Sequence, residues 1–99
     1  MHEAFAHDIP LENFVVAKPY IVPEPAAPLN YALEVNHENF EKISKYYIEC
    51  TEDRAIPIEV QRAMYNGKVK KHLSLNASHT PNFSKPDSLA YLLKKIVLK

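Results

Sequence analysis

The sequence predicts an α/β fold in which a strand, a helix, a second strand and a final helix follow one another from residue 45 to the end of the chain. Two short β-rich runs, Tyr46–Cys50 and Lys71–Leu75, have the length of strands. The segment between them is long enough to hold a crossover helix, which a parallel pair of strands requires. An apolar stripe at helical spacing in the last 15 or so residues completes the pattern. We therefore expect a parallel sheet with its helices packed against it.

The first 44 residues are expected to form an irregular segment before this regular part. Asp8 as N-cap and Pro10 in the first turn predict a short helix that ends near Pro19. A group of prolines then favours extended backbone, namely Pro19, Pro23, Pro25 and Pro28. A second short helix is expected over residues 37–44, with Asn36 as its cap and with Phe40 and Ile43 facing inward.

The helices of the regular part have recognisable ends. Pro57 is expected to open a helix that runs to about Asn66, followed by Gly67 at the position where a C-terminal glycine belongs. Ser84 and Asp87 have the spacing of a capping box and predict the start of the last helix. The residues expected to face the sheet from that helix are Leu89, Leu92, Leu93, Ile96 and Val97.

The composition of the chain argues against several classes of function. A chain of 99 residues makes one domain at most. Its 12 basic and 12 acidic residues cancel, which argues against a nucleic-acid or anionic-membrane partner, and no apolar run is long enough to span a membrane. The first residues do not resemble a signal peptide, and the single cysteine, Cys50, fits a reducing cytoplasm and a small buried side chain. A single glycine excludes a phosphate-binding loop, a dinucleotide fingerprint and a Gly-x-Ser-x-Gly elbow within this sequence.

Two side chains suited to catalysis follow the two predicted strands. Asp53 lies about three residues after the first strand and His79 about four residues after the second. Because neighbouring strands lie roughly 4.7 to 4.9 Å apart, loops of this length can bring a carboxylate to an imidazole at the carboxyl edge of the sheet. The carboxylate would then fix the tautomer of the ring. Spacing alone leaves open the alternative of a turn-forming aspartate and a structural histidine.

Several motifs resemble those of α/β-hydrolase-fold esterases, in particular the plant methylesterases and hydroxynitrile lyases with their bacterial relatives. The motifs are Tyr47-Ile-Glu-Cys-Thr-Glu-Asp-Arg-Ala-Ile-Pro57, Gln61-Arg-Ala-Met64, Ser78-His-Thr-Pro81 and Phe83-Ser-Lys-Pro86. The resemblance implies that Asp53 is the acid and His79 the base of a Ser-Asp-His triad. It also implies that residues 1–44 are the end of a cap region and the return segment, with Pro25-Ala-Ala-Pro28 leaving the cap, and that residues 45–99 are the C-terminal β-α-β-α part of the hydrolase core.

The family's nucleophile has no counterpart in this sequence. None of the five serines lies on a glycine-flanked turn. Ser78 is a poor candidate because it adjoins His79, and the side chains of neighbouring residues in an extended loop point apart. The remaining histidines lack metal-ligand spacing, and neither a metal nor a cofactor is expected. Glu52 could substitute for Asp53, although a solvated loop charge is the simpler interpretation. Arg54 and Arg62 are expected to form surface pairs.

The leading hypothesis is therefore a C-terminal fragment of a serine α/β-hydrolase, inactive alone and acting on a small ester in the complete enzyme. The family also contains lyases, so reaction type stays open. The alternative is a small, non-catalytic α+β interaction module. A bare strand edge and an uncovered sheet face predict self-association, or a partner chain that supplies the rest of the sheet.

Overall fold

The computed structural model describes residues 1–98 and has α/β architecture, as the sequence predicts. Strands β1 (Tyr46–Cys50) and β2 (Lys71–Leu75) form a two-stranded parallel sheet, in register from Tyr46 opposite Lys71 to Cys50 opposite Leu75. Both predicted strands and their parallel pairing are confirmed. The helices are α1 (His2–Phe5), α2 (Leu11–Ala17), α3 (Ala26–Asn30), α4 (His37–Glu41), α5 (Ile58–Tyr65), α6 (Pro81–Ser84) and α7 (Pro86–Val97), with a 3-10 turn over Lys18–Tyr20.

Helix α5 makes the connection between the two strands. Pro57 precedes its first residue in extended backbone and serves as its N-cap. The helix ends at Tyr65, and Gly67 then adopts a φ of 71°, a left-handed conformation that glycine enters without a Cβ clash. The predicted helix and its glycine stop are confirmed to within a residue.

The N-terminal segment differs from the prediction at Asp8. Helix α2 begins at Leu11, and its N-cap is Pro10, which has no side-chain donor or acceptor. Asp8 makes no capping bond to α2; its Oδ2 accepts a hydrogen bond from the backbone N–H of Ser78 instead. The prediction that Asp8 caps this helix is therefore wrong, while Phe14 is buried on the inner face of α2.

Helix α4 forms with the expected cap, since the Asn36 side chain accepts a hydrogen bond from Asn39 N at 3.1 Å. Its expected inward face does not exist: Phe40 and Ile43 are 49% and 60% exposed. The reason is that the whole stretch from residue 18 to residue 44 is exposed and packs on no sheet face.

The last helix also starts differently from the prediction. Ser84 closes α6 rather than capping α7, and α7 begins at Pro86 with no side-chain cap. The proposed capping box is therefore wrong, because the short helix α6 uses the serine first. Along α7, Leu89, Leu92 and Ile96 are half-buried, whereas Leu93 and Val97 are exposed.

The core is small and lies where the N-terminal segment meets the carboxyl ends of the strands. Ala6, Ile9 and Phe14 form its buried cluster. The other buried apolar residues close the strands or follow them, namely Cys50, Leu75 and Ala77. None of the helices within residues 1–98 has the length and apolar character needed to cross a membrane.

Candidate active site

The loop after β1 holds Asp53 in a fixed orientation. Its Oδ1 accepts hydrogen bonds from Ala55 N at 2.8 Å and Ile56 N at 2.9 Å. This is the turn-forming behaviour that aspartate shows when its side chain binds backbone amides two and three residues ahead. The side chain is only 6% exposed. One carboxylate oxygen therefore builds the loop and leaves the other, Oδ2, free to face a partner.

That partner is His79, from the loop after β2. Nδ1 of His79 lies 2.9 Å from Oδ2 of Asp53. Because a carboxylate only accepts, Nδ1 carries the proton in this pair and a neutral ring has its lone pair on Nε2. Within residues 1–98, no side chain or backbone group hydrogen-bonds to this Nε2. The two residues singled out by spacing are thus brought into direct contact.

An aromatic side chain packs against the imidazole. The ring of Phe5 meets the ring of His79 edge-on, with centroids 5.0 Å apart. Phe5 also borders a largely apolar cavity of about 450 Å³. Thr80, the residue after His79, lines the same cavity together with Ala6, Phe14 and Phe83. The His79 side chain is 30% exposed, so it is accessible from solvent on one side.

Gln61 fixes the end of β1, from which the Asp53 loop departs. Its Oε1 accepts a hydrogen bond from Cys50 N at 2.9 Å, and its Nε2 donates to Cys50 O at 2.9 Å. Both bonds lie on the edge of β1 that does not pair with β2. The same amide nitrogen donates to Ile56 O at 2.8 Å, inside the Asp53 loop. The Gln61 side chain therefore takes the place of a neighbouring strand beside Cys50 and connects the end of β1 to the Asp53 loop.

The N-terminal segment fixes the His79 loop from its other side. The Phe5 carbonyl accepts from Thr80 N at 3.1 Å, from Thr80 Oγ1 at 2.7 Å and from Ser78 Oγ at 3.2 Å. Asp8 Oδ2 accepts from Ser78 N at 3.0 Å. Burial raises the pKa of the Asp8 carboxyl, but hydrogen bonds, chiefly from Ser78, outweigh burial and leave the pKa below its ordinary value. Ser78 is fully buried with its hydroxyl occupied, which agrees with its exclusion as a nucleophile.

A second polar cluster lies on the sheet away from the Asp53–His79 pair. Glu49, 2% exposed, accepts from Arg62 Nε and Nη2 at 3.2 Å each, from Tyr65 Oη at 2.8 Å and from Ser74 Oγ at 2.5 Å. The bonds from Arg62 and Ser74 lower the pKa of Glu49 to about 2. All its oxygens are engaged, so the cluster is structural. Arg62 was expected to pair at the surface and instead reaches a buried carboxylate.

The other charged and nucleophilic candidates are peripheral to the pair. Glu52 is exposed and its backbone carbonyl contacts the His7 ring, while Arg54 pairs with Glu3 at the surface. Cys50 is buried, and burial followed by the charges of Asp53 and Asp8 raises the pKa of its thiol, which fits a packing role. Among residues 1–98 no group of three or more His, Cys, Asp or Glu could hold a metal ion.

Sequence patterns do not predict the actual roles of Asp8 and Gln61 at the site, or of Glu49 in the second cluster. A glutamate between Ile48 and Cys50 was a usable signal, since both faces of a parallel sheet are usually covered and a charged side chain there needs partners. Asp8 offered none, because its partner lies 70 residues away.

Comparison with known proteins identifies homologues that are longer than this chain. No family model matches the sequence. Methylesterase 7 of Arabidopsis thaliana is 36% identical over 94 residues, which cover 91% of this chain and 36% of that protein. Methylesterase 9 of the same plant is 35% identical over 94 residues, which cover 91% of this chain and 37% of that protein. A pyrethroid hydrolase of Sphingobium wenxiniae is 36% identical over 93 residues, covering 91% of this chain and 32% of the bacterial protein.

The fold has a close match among solved structures. Polyneuridine aldehyde esterase superposes with a TM-score of 0.85 at 22% identity, over 98% of this chain and 40% of the esterase. The chain therefore shares the fold of part of an α/β-hydrolase and is homologous to the C-terminal portion of methylesterases. It spans about a third of the length of the methylesterases named here.

Proposed function

We propose that this homologue of plant methylesterases and a bacterial hydrolase supplies the acid and the base of a carboxylic ester hydrolase. Asp53 is the acid and His79 the base of a Ser-Asp-His triad. The observation that carries the proposal is the 2.9 Å contact between His79 Nδ1 and Asp53 Oδ2, with Nε2 left free of protein partners among the described residues. This is the arrangement a general base needs when its second nitrogen must accept a proton.

The nucleophilic serine of this proposal lies outside the 99 residues. The single glycine, Gly67, leaves no glycine-flanked serine in the sequence, so a nucleophile elbow cannot be built from these residues. The coverage of roughly a third of the relatives leaves room for a nucleophile in the part that this chain does not match. The chain is then a fragment that holds two of three triad residues.

The reaction follows from the geometry of the pair. His79 Nε2 takes the proton of the serine hydroxyl while the serine oxygen bonds to the ester carbonyl carbon, and Asp53 stabilises the imidazolium that forms. The tetrahedral intermediate then collapses, its C–O bond breaks, and the alcohol leaves with the proton from Nε2. Water repeats the sequence on the acyl-enzyme and releases the acid. A small carboxylic ester is the substrate class, and the names of the plant relatives make methyl esters the first to assay.

The same proposal includes an association partner. The sheet described has two strands, each with one edge that the other does not cover, and large apolar side chains are exposed over residues 20–35, including Tyr20, Val22, Tyr31 and Leu33. Exposed apolar surface of this extent marks an interaction surface. A second copy, or a chain that supplies the remaining strands, would cover it. This surface also favours the second candidate function, a non-catalytic interaction module.

The two functions are separated by assaying the chain alone and joined to an upstream segment that carries a Gly-x-Ser-x-Gly turn. The chain alone should hydrolyse p-nitrophenyl acetate no faster than free imidazole at the same concentration. The joined protein should turn over, and it should lose its turnover when His79 is replaced by alanine. Turnover by the chain alone, or turnover that survives His79→Ala in the joined protein, contradicts the proposal.

A further inference from the structure

We propose that Asp8 is a positioning residue that holds the His79 loop in the orientation from which the imidazole meets Asp53. The inference rests on the proposed function of His79 and Asp53. It adds a residue from the N-terminal segment, 45 positions before the acid, to the machinery of the site.

The contacts around His79 carry this inference. The residue before it, Ser78, is held through its amide by Asp8 Oδ2 at 3.0 Å and through its hydroxyl by the Phe5 carbonyl at 3.2 Å. The residue after it, Thr80, binds the same carbonyl through both its amide and its hydroxyl. Phe5 and Asp8 therefore hold the residues on both sides of His79, and we call this set of hydrogen bonds the clamp. Within the clamp, Asp8 supplies the charged acceptor.

Among the acceptors of the clamp, Asp8 is expected to make the strongest hydrogen bond because it is charged. A hydrogen bond to an ionised acceptor is about twice as strong as one between neutral groups. The neighbouring bonds all end on one neutral carbonyl, that of Phe5. The Asp8 bond is therefore the strongest single restraint on the backbone next to His79.

The half-buried position of Asp8 also indicates a role beyond packing. Its Oδ1 is buried and has no hydrogen-bond partner among residues 1–98. A buried polar atom without a partner costs free energy, so a neutral or apolar side chain would suit this position better if packing were its only requirement. An aspartate at this position is explained if its charged Oδ2 is needed to bind the Ser78 amide.

The experiment reads the geometry of His79 directly and needs no nucleophile. The chain is labelled with ¹⁵N, and the tautomer of His79 is measured by ¹H–¹⁵N correlation at a pH where imidazoles are neutral. The wild type should show the Nδ1–H tautomer. Asp8→Ala should give a mixture of both tautomers and a Ser78 amide that exchanges with solvent much faster, while the amide signals of β1 and β2 stay in place. Glu12→Ala, which removes an exposed carboxylate from the adjoining helix α2, should change neither signal.

Asp8→Asn provides the second variant, because it keeps the shape and an acceptor oxygen but loses the charge. Exchange of the Ser78 amide should accelerate by roughly five- to tenfold, the ratio expected when a charged acceptor becomes neutral. If Asp8→Ala does not fold, this variant decides. A wild-type tautomer together with wild-type Ser78 exchange in Asp8→Asn overturns the inference.

The outcome is separable from that of the proposed function. Turnover that survives His79→Ala in the joined protein would remove the triad and leave the Asp8 result standing. A wild-type tautomer in folded Asp8→Ala would remove the positioning role and leave the triad standing.

Discussion

Nδ1 of His79 lies 2.9 Å from Oδ2 of Asp53, and the two residues follow adjacent parallel strands. The contact depends on where the strands end. Cys50 and Leu75 are opposite each other in register, so the loops leave the same edge of the sheet side by side. Each loop is then fixed by a different part of the chain: the Asp53 loop by Gln61 from α5, and the His79 loop by Phe5 and Asp8. The pair is held from both sides.

The first prediction concerns catalysis in the joined protein described above. Asp53→Asn should lower kcat by about 10⁴-fold, because an amide can donate to Nδ1 and so favours the wrong imidazole tautomer. The measurement is steady-state hydrolysis of a methyl ester by each purified variant.

A histidine outside the site provides the matched control for this prediction. His37 opens α4 and is exposed, so His37→Ala should keep wild-type kcat. An Asp53→Asn variant with kcat within tenfold of the wild type would remove Asp53 from the catalytic role, whatever the result for His79.

The Asp53–His79 contact could be predicted because it depends on local signals. Two strand-like runs separated by a helix-length segment determine a parallel pair, and a parallel pair determines which loops share an edge. Tyr46–Cys50 and Lys71–Leu75 therefore predicted that the Asp53 and His79 loops share an edge, whereas the pairing of the two side chains was implied by the family resemblance. The helix with its stop at Gly67 followed from local propensity.

The contacts that fix the two loops could not be predicted in the same way. Asp8 and Ser84 both have the local signature of an N-cap, and in each case a competing partner was stronger: the Ser78 amide for Asp8 and the short helix α6 for Ser84. Capping signals describe only the nearest backbone. A side chain whose partner lies 70 residues away, as for Asp8, is invisible to them.

The inward-facing pattern of Phe40 and Ile43 failed for a related reason. Helical spacing indicates which residues share a face, and not whether another element covers that face. Phe40 is covered in part by the Lys45 side chain, and both Phe40 and Ile43 remain about half exposed or more.

The second prediction concerns the stability that Gln61 provides. Gln61→Leu removes the partners of Cys50 N, Cys50 O and Ile56 O, all of which lie at buried or half-buried residues. Unpaired buried backbone groups cost about 1–3 kcal/mol each, and partial access to water moderates the sum, so we expect a loss of about 3 kcal/mol in the free energy of unfolding. Urea denaturation followed by circular dichroism measures it.

The same helix offers a control for Gln61. Glu59 is exposed in the first turn of α5, and Glu59→Ala should change the free energy of unfolding by no more than about 0.5 kcal/mol. A Gln61→Leu variant as stable as Glu59→Ala would show that the backbone of Cys50 does not depend on this amide.

The third prediction is the acid dependence that Glu49 confers. Its pKa is about 2 in the folded chain against an ordinary value of 4.5, so the folded state favours the ionised form. Stability from this group is fully present above about pH 4.5 and is lost as the pH falls towards 2. Because Arg62 is largely exposed and screened by solvent, we expect roughly 2 to 3 kcal/mol from this linkage.

Glu49→Gln tests this linkage by urea denaturation at a series of pH values. The variant should be less stable than the wild type near neutral pH, and the difference should shrink as the pH approaches 2. Tyr65→Phe removes one of the donors to Glu49 without removing a charge and should show a smaller effect of the same sign. Wild-type and Glu49→Gln curves that stay parallel down to this pH would mean that Glu49 gains nothing from its partners.

The fourth prediction concerns association of the chain alone. Leu33 is 82% exposed and Tyr31 is 72% exposed within the long uncovered segment, and we expect this surface to bind a second copy at micromolar concentrations. Sedimentation velocity over a concentration series should show species larger than a monomer. Leu33→Glu should shift the distribution towards monomer, since a charge at an apolar contact must be desolvated, whereas Glu34→Gln, an exposed neighbour, should not. A monodisperse wild-type monomer that melts cooperatively would contradict association and favour the independent interaction module, because such a monomer is stable without further strands.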